Sequence, residues 1–571
     1  MSLTVFTAPL MALVVAFPFL FSYTQPPSTN FWPLMAAGLC GWVVAVAWNA
    51  RRVDTVRGGW MDRAEMATWL GAGLLLAAVL ASAIGLMQYF GAAPGLDPWV
   101  HASKPGQAMG NLRQRNQQAT LLSMGLWALL WVVAQTEAHL RASSTGGGSA
   151  QAGADLHGGG RLWPLWSVGL LTAWALALLA VGSAATASRT GMAQWVVIGM
   201  LLALWRVSLG RLAVGLALVG LVIYGVAAWL LPELLLQWTG FRADGLMARF
   251  GDAPGCTSRR VLWSNVLHLI AQKPWLGWGW GELDYAHYVT LFPGQRFCVL
   301  LDNAHNLPLQ LAVELGLPVA ALACVAVLAW VAVSRPWSET DPARQLAWGI
   351  LALVGLHSML EFPLWYGPFQ LVTVLAVFIL WRRPVRGKGA WWRSACFPLS
   401  PTLSRKGRGS ESHHERDENN HQKAPLALIW QASIALITIA FMGYASWDYT
   451  RVSQMYKPVH QRSEALRENT LTKVSGTWLF ADAVDFATLT TTPVTPETAQ
   501  RMHGLATALL HYSPEPRVIE PLIESASLLG RDDEVAYHLQ RYRVAYPKDF
   551  ERWSRANRAF SAPGPQRAST Q

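Results

Sequence analysis

The sequence predicts an all-α, polytopic membrane protein with a soluble helical domain at its C-terminal end. Hydrophobic residues make up 52% of the 571-residue chain and charged residues only 14%, against about 25% charged residues in a soluble domain. Apolar runs of about 20 residues, the length that spans a bilayer, recur through residues 1–446. Residues 447–571 are instead polar. This composition argues against a cytosolic enzyme.

Eleven segments are apolar enough and long enough to be membrane spans. The first has no basic region ahead of its apolar stretch, so we interpret it as a span and not as a cleaved signal peptide. The 30 tryptophans fit the aromatic belts of membrane proteins. The predicted spans are residues 4–22, 31–49, 67–90, 117–135, 163–183, 191–206, 212–231, 307–333, 345–360, 363–381 and 425–446.

The distribution of Lys and Arg predicts that the N-terminus lies in the cytoplasm, because basic loops are retained on that side. With this orientation the cytoplasmic loops carry 20 Lys and Arg residues and the outer loops carry 10. The net charge of +11 is therefore interpreted mainly as a topology signal, and no nucleic-acid partner is predicted. The cytoplasmic loops are 50–66, 136–162, 206–211, 334–344 and 382–424.

The odd number of spans places the polar C-terminal domain, residues 447–571, on the outer face. The membrane-embedded domain comprises residues 1–381 and contains a large outer loop, 232–306. Residues 382–424 are predicted to be a disordered cytoplasmic linker before the last span at 425–446.

The C-terminal domain is predicted to be helical. Residues 526–553, with Gly530 at a turn, resemble a tetratricopeptide-type helical hairpin, and generic helical packing is the alternative. The predicted helices are Pro496–Tyr512, Arg517–Leu529 and Asp533–Tyr546.

The predicted spans are almost empty of ionisable residues, which argues against a proton-coupled transporter. Glu314 is the clear exception, and Gln310, one turn earlier, is placed to hydrogen-bond it. Polar residues instead form four clusters that all fall on the outer face, where we expect them to line one pocket. The clusters are Met109–Gln118, Ser188–Gly191, the pair Arg259 and Arg260 with Asp302–Asn306, and His357–Tyr366.

The residue types in these clusters predict the chemistry. Arginines bind phosphate groups and can neutralise a diphosphate leaving group. An imidazole such as that of His305 can accept a proton from a hydroxyl at neutral pH. Together they suit transfer from a lipid-linked diphosphate to a hydroxyl acceptor. The alternative is structural: the arginines reach lipid headgroups and His305 caps a helix.

Other catalytic signatures do not occur in the sequence. It has no P-loop, no His-Glu-x-x-His helix and no Gly-x-Ser-x-Gly elbow. The run Gly277–Gly281 is interpreted as a tight aromatic turn at the membrane surface. The outer loop has no acidic pair at metal-like spacing, so we predict metal-independent chemistry without a cofactor.

Two cysteines, Cys256 and Cys298, lie in the large outer loop. This compartment is oxidising if the topology is right, so a disulfide between them is predicted. The bond would connect the segment before Arg259 to the stretch before His305. Two reduced, buried thiols are the alternative.

These motifs resemble the O-antigen ligase and polymerase superfamily. The resemblance rests on Arg260-Val-Leu-Trp263, Pro274-Trp-Leu-Gly-Trp-Gly279, Asn303–Asn306, Glu314-Leu-Gly316 and the earlier Ser188–Gly191. Two further motifs, Gly110–Gln118 and His357–Tyr366, are similar to those of the bacterial protein O-oligosaccharyltransferases, which modify pilins and other exported proteins.

The resemblance implies a GT-C-like fold in the bacterial inner membrane and a periplasmic active site. It also implies transfer of a preassembled oligosaccharide from undecaprenyl diphosphate to Ser or Thr hydroxyls of an acceptor protein such as a pilin, among membrane lipids. His305 is the implied essential residue, and Arg189 with Arg259 or Arg260 is the implied diphosphate clamp. The other implied substrate-binding residues are Gln114 or Gln117, Glu314 and Tyr366.

This chain departs from the protein-glycosylating branch at Phe362, where the branch has a tyrosine. The departure moves any tyrosine role to Tyr366 or removes it. The closest alternative function is an O-antigen ligase or polymerase, whose acceptor is lipid A core or another glycan. A different class is a non-catalytic membrane scaffold or transporter that uses its C-terminal domain to bind proteins.

Overall fold

The computed structural model describes residues 4–54, 63–145, 165–243, 245, 255–381 and 413–557. Throughout these ranges the ordered elements are helices and no strand occurs, which confirms the all-α fold class. The first seven helices are α1 (Thr4–Leu20), α2 (Phe31–Asp54), α3 (Arg63–Tyr89), α4 (Arg115–Thr145), α5 (Leu165–Ala185), α6 (Arg189–Leu204) and α7 (Arg206–Thr239). The outer loop and the remaining spans contain α8 (Arg259–Gln272), α9 (Leu283–Val289), α10 (Leu307–Leu315), α11 (Leu317–Ser334), α12 (Pro342–Ser358), α13 (Gly367–Trp381) and α14 (His413–Ser453).

Helices coincide with all eleven predicted spans. In the described part of the chain, six are long and apolar enough to cross a membrane, and three further apolar helices are shorter. The protein is therefore a polytopic membrane protein, while the number of eleven spans stays a prediction. Helix α14 begins at His413, inside the segment predicted to be a disordered linker. The predicted linker therefore extends too far towards the C-terminus. Residues 382–412 lie outside the described residues.

Helices α3 and α4 form the centre of the membrane domain. They pack against each other, and both also contact α5 and α12. Small residues let the helices approach closely: a Cβ added at Gly125 would lie 2.1 Å from the Cβ of Ala78, and one at Gly182 would lie 1.9 Å from Ser82 Oγ. The indole of Trp127 is fully buried in this core.

The eighth predicted span is not one continuous helix. Helices α10 and α11 are separated at Gly316, whose φ is +84°. The aromatic turn at Gly277–Gly281 docks against this break, with Trp278 N donating to Val313 O at 2.8 Å. A Cβ at Gly316 would lie 2.2 Å from Trp275 O, so the close approach requires glycine. The aromatic turn therefore packs at the point where α10 ends and α11 begins.

The large outer loop is folded. Helices α8 and α9 enclose their own apolar core, which includes Leu262, Val266 and Leu283. A disulfide joins Cys256 to Cys298, with a Cα–Cα distance of 5.5 Å, as the sequence predicts.

The C-terminal domain is helical, and its three predicted helices are confirmed with small shifts at their ends. Its resemblance to a tetratricopeptide repeat stays a prediction. The helices are α15 (Glu464–Arg467), α16 (Thr470–Val474), α17 (Ala481–Thr491), α18 (Ala499–Leu509), α19 (Pro516–Leu528), α20 (Asp532–Ala545) and α21 (Pro547–Ala556).

The C-terminal domain packs directly on helix α9 of the outer loop. Tyr288 is buried in the core of the C-terminal domain, and its hydroxyl hydrogen-bonds His538 Nδ1 at 3.0 Å. Arg541 Nε donates to Val289 O at 2.7 Å. The soluble domain and the outer loop therefore support each other, a contact that the sequence did not predict.

A buried carboxyl in α9 predicts a pH-dependent stability. Asp284 is 7% exposed, and burial raises its pKa to about 7. The folded state therefore favours the neutral acid, and ionisation opposes folding increasingly as the pH rises from about 4 to about 7. We expect Asp284→Asn to raise the Tm by about 3–8 °C at pH 8 and by about a third as much at pH 5.

Scanning calorimetry at the two pH values checks this prediction. The control is Asp302→Asn, which removes the same charge from an exposed position in the same loop. Equal effects of Asp284→Asn at both pH values would contradict the assigned penalty.

Candidate active site

The four outer clusters meet at one buried carboxylate, Glu361, in the turn between α12 and α13. Its Oε2 is 2.5 Å from His305 Nδ1 and accepts from Gln114 Nε2 at 3.4 Å. Its Oε1 accepts from Asn116 Nδ2 at 2.9 Å and forms an ion pair with Arg259 Nη2. The four motifs, distant in sequence, thus converge on one side chain, while a pocket between them stays a prediction. We call Glu361, His305, Arg259, Asn116 and Gln114 the Glu361 cluster.

The second cluster joins the others through Asn116. Ser188 Oγ donates to Asn116 Oδ1 at 2.7 Å and also caps α6 by accepting from Gly191 N at 3.1 Å. Arg189, the first residue of α6, follows Ser188 directly in the chain.

Several helices begin at the Glu361 cluster. Asn116 lies in the first turn of α4, Arg259 is the first residue of α8, and Asn306 caps α10 by accepting from Leu309 N at 3.0 Å. Helix N-termini carry a partial positive charge that favours anions. The arrangement therefore suits a phosphate-bearing group, which needs positive charge from several directions.

Glu361 is held in its ionised form. Burial by itself raises the pKa of this carboxyl, but the hydrogen bond from His305 and the charge of Arg259 prevail and hold the pKa below its usual range. An ionised acceptor at Nδ1 of His305 directs the imidazole proton to that nitrogen. Nε2 then carries a lone pair, and the described residues give it no hydrogen-bond partner. The site thus contains an oriented imidazole with one nitrogen free to accept a proton.

The backbone around His305 is clamped in an unusual conformation. His305 has a φ of +50°, in the left-handed region that few side chains adopt. The preceding residue, Ala304, is held at both of its backbone polar groups: its N donates to Gln310 Oε1 at 2.6 Å, and its O accepts from Trp263 Nε1 at 3.0 Å. After it, Asn306 Nδ2 donates to Met359 O at 3.0 Å. These contacts support the strained residue and aim its ring at Glu361.

Glu314 supports this clamp from a distance. It is 2% exposed, and its Oε1 accepts from Gln310 Nε2 at 2.7 Å, the hydrogen bond predicted from the sequence, and from Gly281 N at 3.0 Å. Glu314 thereby links the aromatic turn to Gln310 and so to His305. It is outside the Glu361 cluster, and the contacts favour a positioning role over the predicted contact with substrate.

The three predicted clamp arginines differ in their surroundings. Arg259 is committed to Glu361 and is 30% exposed. Arg189 and Arg260 are exposed, and neither forms a hydrogen bond or ion pair with the described residues. Among the described residues Arg259 neutralises the carboxylate, whereas the binding of a diphosphate by Arg189 and Arg260 stays a prediction.

The two glutamines of the first motif contact different residues. Gln114 contacts Glu361, whereas Gln117 is buried beside Tyr366. Phe362 lies between the tyrosine and the histidine: its ring centroid is 6.0 Å from that of Tyr366 and 5.0 Å from that of His305. Phe362 therefore presents an apolar ring without a hydroxyl to His305.

Glu361 and Asn116 are the two site residues to which the sequence assigned no role. The signal for Glu361 was present, because it is an isolated carboxylate in a very short turn between two apolar spans. Asn116 gave no such signal, since amides near helix starts are commonly caps.

The disulfide connects the two halves of the site. It lies three residues before Arg259 and seven before His305, and it closes a loop with a sequence separation of 42. Such a crosslink stabilises a fold by about 3–4 kcal/mol. We expect reduction of the wild type to lower the Tm and to lower catalytic activity about tenfold or more, because small displacements of reacting groups are costly.

The matched variants sharpen this test. The double variant Cys256→Ser/Cys298→Ser should be impaired and insensitive to reductant, whereas Cys324→Ser, which removes a free thiol, should remain sensitive. Wild-type protein that keeps its Tm and activity after full reduction would contradict the prediction.

Comparisons with known proteins find families whose matched stretches contain residues of the Glu361 cluster. Family models match in three stretches, described as "Protein glycosylation ligase" over residues 108–132, "O-Antigen ligase" over 174–324 and "Virulence factor membrane-bound polymerase, C-terminal" over 345–560. The stretches contain, in order, Asn116, His305 and Glu361. Each family description therefore covers a different part of the Glu361 cluster.

A "General O-oligosaccharyltransferase" of Acinetobacter baylyi is 30% identical over 113 residues. The matched stretch covers 20% of this chain and 20% of that protein. No solved structure matches. Taken with the three family matches and the membrane-embedded helical fold, this match shows that the chain is similar to the O-antigen ligase superfamily and, within it, to the protein O-oligosaccharyltransferases.

Proposed function

We propose that the protein transfers a preassembled oligosaccharide from undecaprenyl diphosphate to Ser or Thr hydroxyls of exported proteins such as pilins. The reaction takes place at the periplasmic face of the bacterial inner membrane. The observation that carries the proposal is the Glu361–His305 pair, which is set among helix N-termini. An oriented base beside an anion site is what glycosyl transfer from a lipid diphosphate requires.

The proposed reaction is a single displacement. His305 Nε2 accepts the proton of the acceptor hydroxyl while that oxygen attacks the anomeric carbon of the first sugar. The bond from this carbon to the diphosphate breaks, and the electron pair leaves with the diphosphate. Arg189 and Arg260 stabilise the departing charge. One displacement inverts the anomeric configuration of the transferred sugar.

The supply of positive charge by arginines and helix N-termini explains why the proposal includes no metal ion. In this scheme Arg259 does not touch the diphosphate, and Glu361 is not the base. Both hold His305 in the correct tautomer, as the carboxylate does in other carboxylate–histidine pairs.

An O-antigen ligase or polymerase is the second candidate, favoured by the two family matches that carry those descriptions. Mass spectrometry of exported proteins and lipopolysaccharide, from strains with and without the gene, separates the candidates. The proposal predicts loss of protein-linked glycan with unchanged lipopolysaccharide. Loss of glycan only from lipid A core would support the ligase instead.

A further inference from the structure

A cavity of about 290 Å³ lies where the first outer loop, helix α14 and the C-terminal domain meet. Aromatic rings form much of its wall: Phe31 from α2, Tyr449 from α14, and Phe480 and Tyr512 from the C-terminal domain. Phe31 and Tyr449 are stacked, with ring centroids 3.8 Å apart and planes at 11°. We call this the aromatic cavity.

Two hydrogen-bond acceptors in the wall of the aromatic cavity have no partner among the described residues. Asn30 lines it, and its Oδ1 is buried without a partner among the described residues. Asp482 also lines it, and within the described chain its carboxylate makes no hydrogen bond or ion pair. The hydroxyl of Tyr449 is already engaged with the backbone oxygens of Gln25 and Ser28 at 2.6 and 2.7 Å. The two free acceptors favour a ligand that offers hydrogen-bond donors together with an apolar surface, and the hydroxyl of Tyr512 can donate to or accept from such a ligand.

The aromatic cavity is connected to the active site. Asn30 Nδ2 donates to Trp365 O at 2.6 Å, in the turn that carries Glu361. On the same loop, Thr29 O accepts from Arg113 Nη2 at 2.7 Å, just ahead of Gln114. The loop that lines the cavity therefore also contacts the segments that carry Glu361 and Gln114. The sugar rings of a glycan combine apolar CH faces, which stack on aromatic rings, with hydroxyl donors.

We propose that the aromatic cavity binds a sugar ring of the lipid-linked oligosaccharide beyond the ring that reacts. This proposal rests on the proposed function, because it takes the donor to be an oligosaccharide. The cavity makes the enzyme select donors by the length of their glycan.

Donor binding tests the proposal without requiring transfer. The protein in nanodiscs is titrated with undecaprenyl diphosphate bearing a trisaccharide and with the same lipid bearing only the first sugar. We expect the wild type to bind the longer donor at least about tenfold more tightly, since one hydrogen bond to a charged group gives about that factor. Asp482→Ala and Tyr512→Leu should each remove most of this preference. Asp485→Asn, on the same helix but outside the cavity, should keep it.

The outcomes are distinguishable. Equal wild-type binding of the two donors, or an unchanged preference in the Asp482 and Tyr512 variants, overturns the assignment. A raised KM for acceptor peptide with unchanged donor binding in these variants shows an acceptor pocket instead, and also overturns it. Absence of transfer with a preserved length preference would contradict the proposed function and leave the cavity assignment supported.

Discussion

Glu361→Gln is expected to lower the rate of oligosaccharide transfer by at least about 10³-fold. Glutamine retains the size of the side chain but loses the charge that pairs with Arg259 and holds His305. Its amide can also donate to Nδ1, which would move the imidazole proton to Nε2 and leave no base. A comparable amide substitution in a carboxylate–histidine pair costs about 10⁴ in kcat. The measurement is the initial rate of transfer to an acceptor peptide by purified protein.

A matched control is available at the opposite end of the membrane domain. Glu339 is a second buried carboxylate paired with an arginine, and Arg344 Nε lies 2.6 Å from its Oε2. Glu339→Gln removes the same charge from the same kind of ion pair, so it reports the cost of a lost pair to the fold. We expect Glu339→Gln to retain most activity per folded molecule. Similar rates for the two variants would refute a specific role for Glu361.

His305→Ala is expected to reduce transfer by about 10²–10⁴-fold, the range over which a positioned general base contributes. The loss should appear in kcat, and the KM for the lipid-linked donor should change little, because the arginines and helix N-termini remain. His268→Ala provides the control, since it removes a histidine from α8 of the same outer loop. Near-wild-type transfer by His305→Ala, without a compensating base, would show that the assigned role is wrong.

The substitution of three residues together tests the scaffold alternative. The variant Arg189→Ala/Arg260→Ala/His305→Ala lacks both the proposed clamp and the base. Robust glycosylation by this variant in cells would favour a non-catalytic scaffold or transporter, whereas the proposed mechanism requires that glycosylation disappear.

Much of the fold was predictable because hydrophobic length is a strong local signal. The apolar runs predicted helices at all eleven positions, and the predicted topology, which places Cys256 and Cys298 in an oxidising compartment, predicted the bond between them. The break at Gly316 escaped prediction because the sequence stays apolar on both sides. Its cause is the approach of Trp275 and its neighbours, which are distant in the chain.

The sequence predicted most residues of the candidate site but not which of their side chains contact each other. Residue types identified the arginines and His305 as a combination suited to a lipid diphosphate. Which arginine pairs with a carboxylate depends on contacts across long stretches of chain, and Arg259 proved to be engaged with Glu361. For the same reason the packing of the C-terminal domain on Tyr288 could not be foreseen.

The most direct test of the central claim is transfer by the purified protein in nanodiscs. The reaction contains undecaprenyl diphosphate bearing the host oligosaccharide and a pilin-derived peptide with Ser and Thr, and intact-mass spectrometry identifies the product. We predict that the peptide gains the whole oligosaccharide in one step and that Glu361→Gln forms almost none of this product. A peptide that stays unmodified, while the same preparation transfers the glycan to lipid A core, would contradict the account.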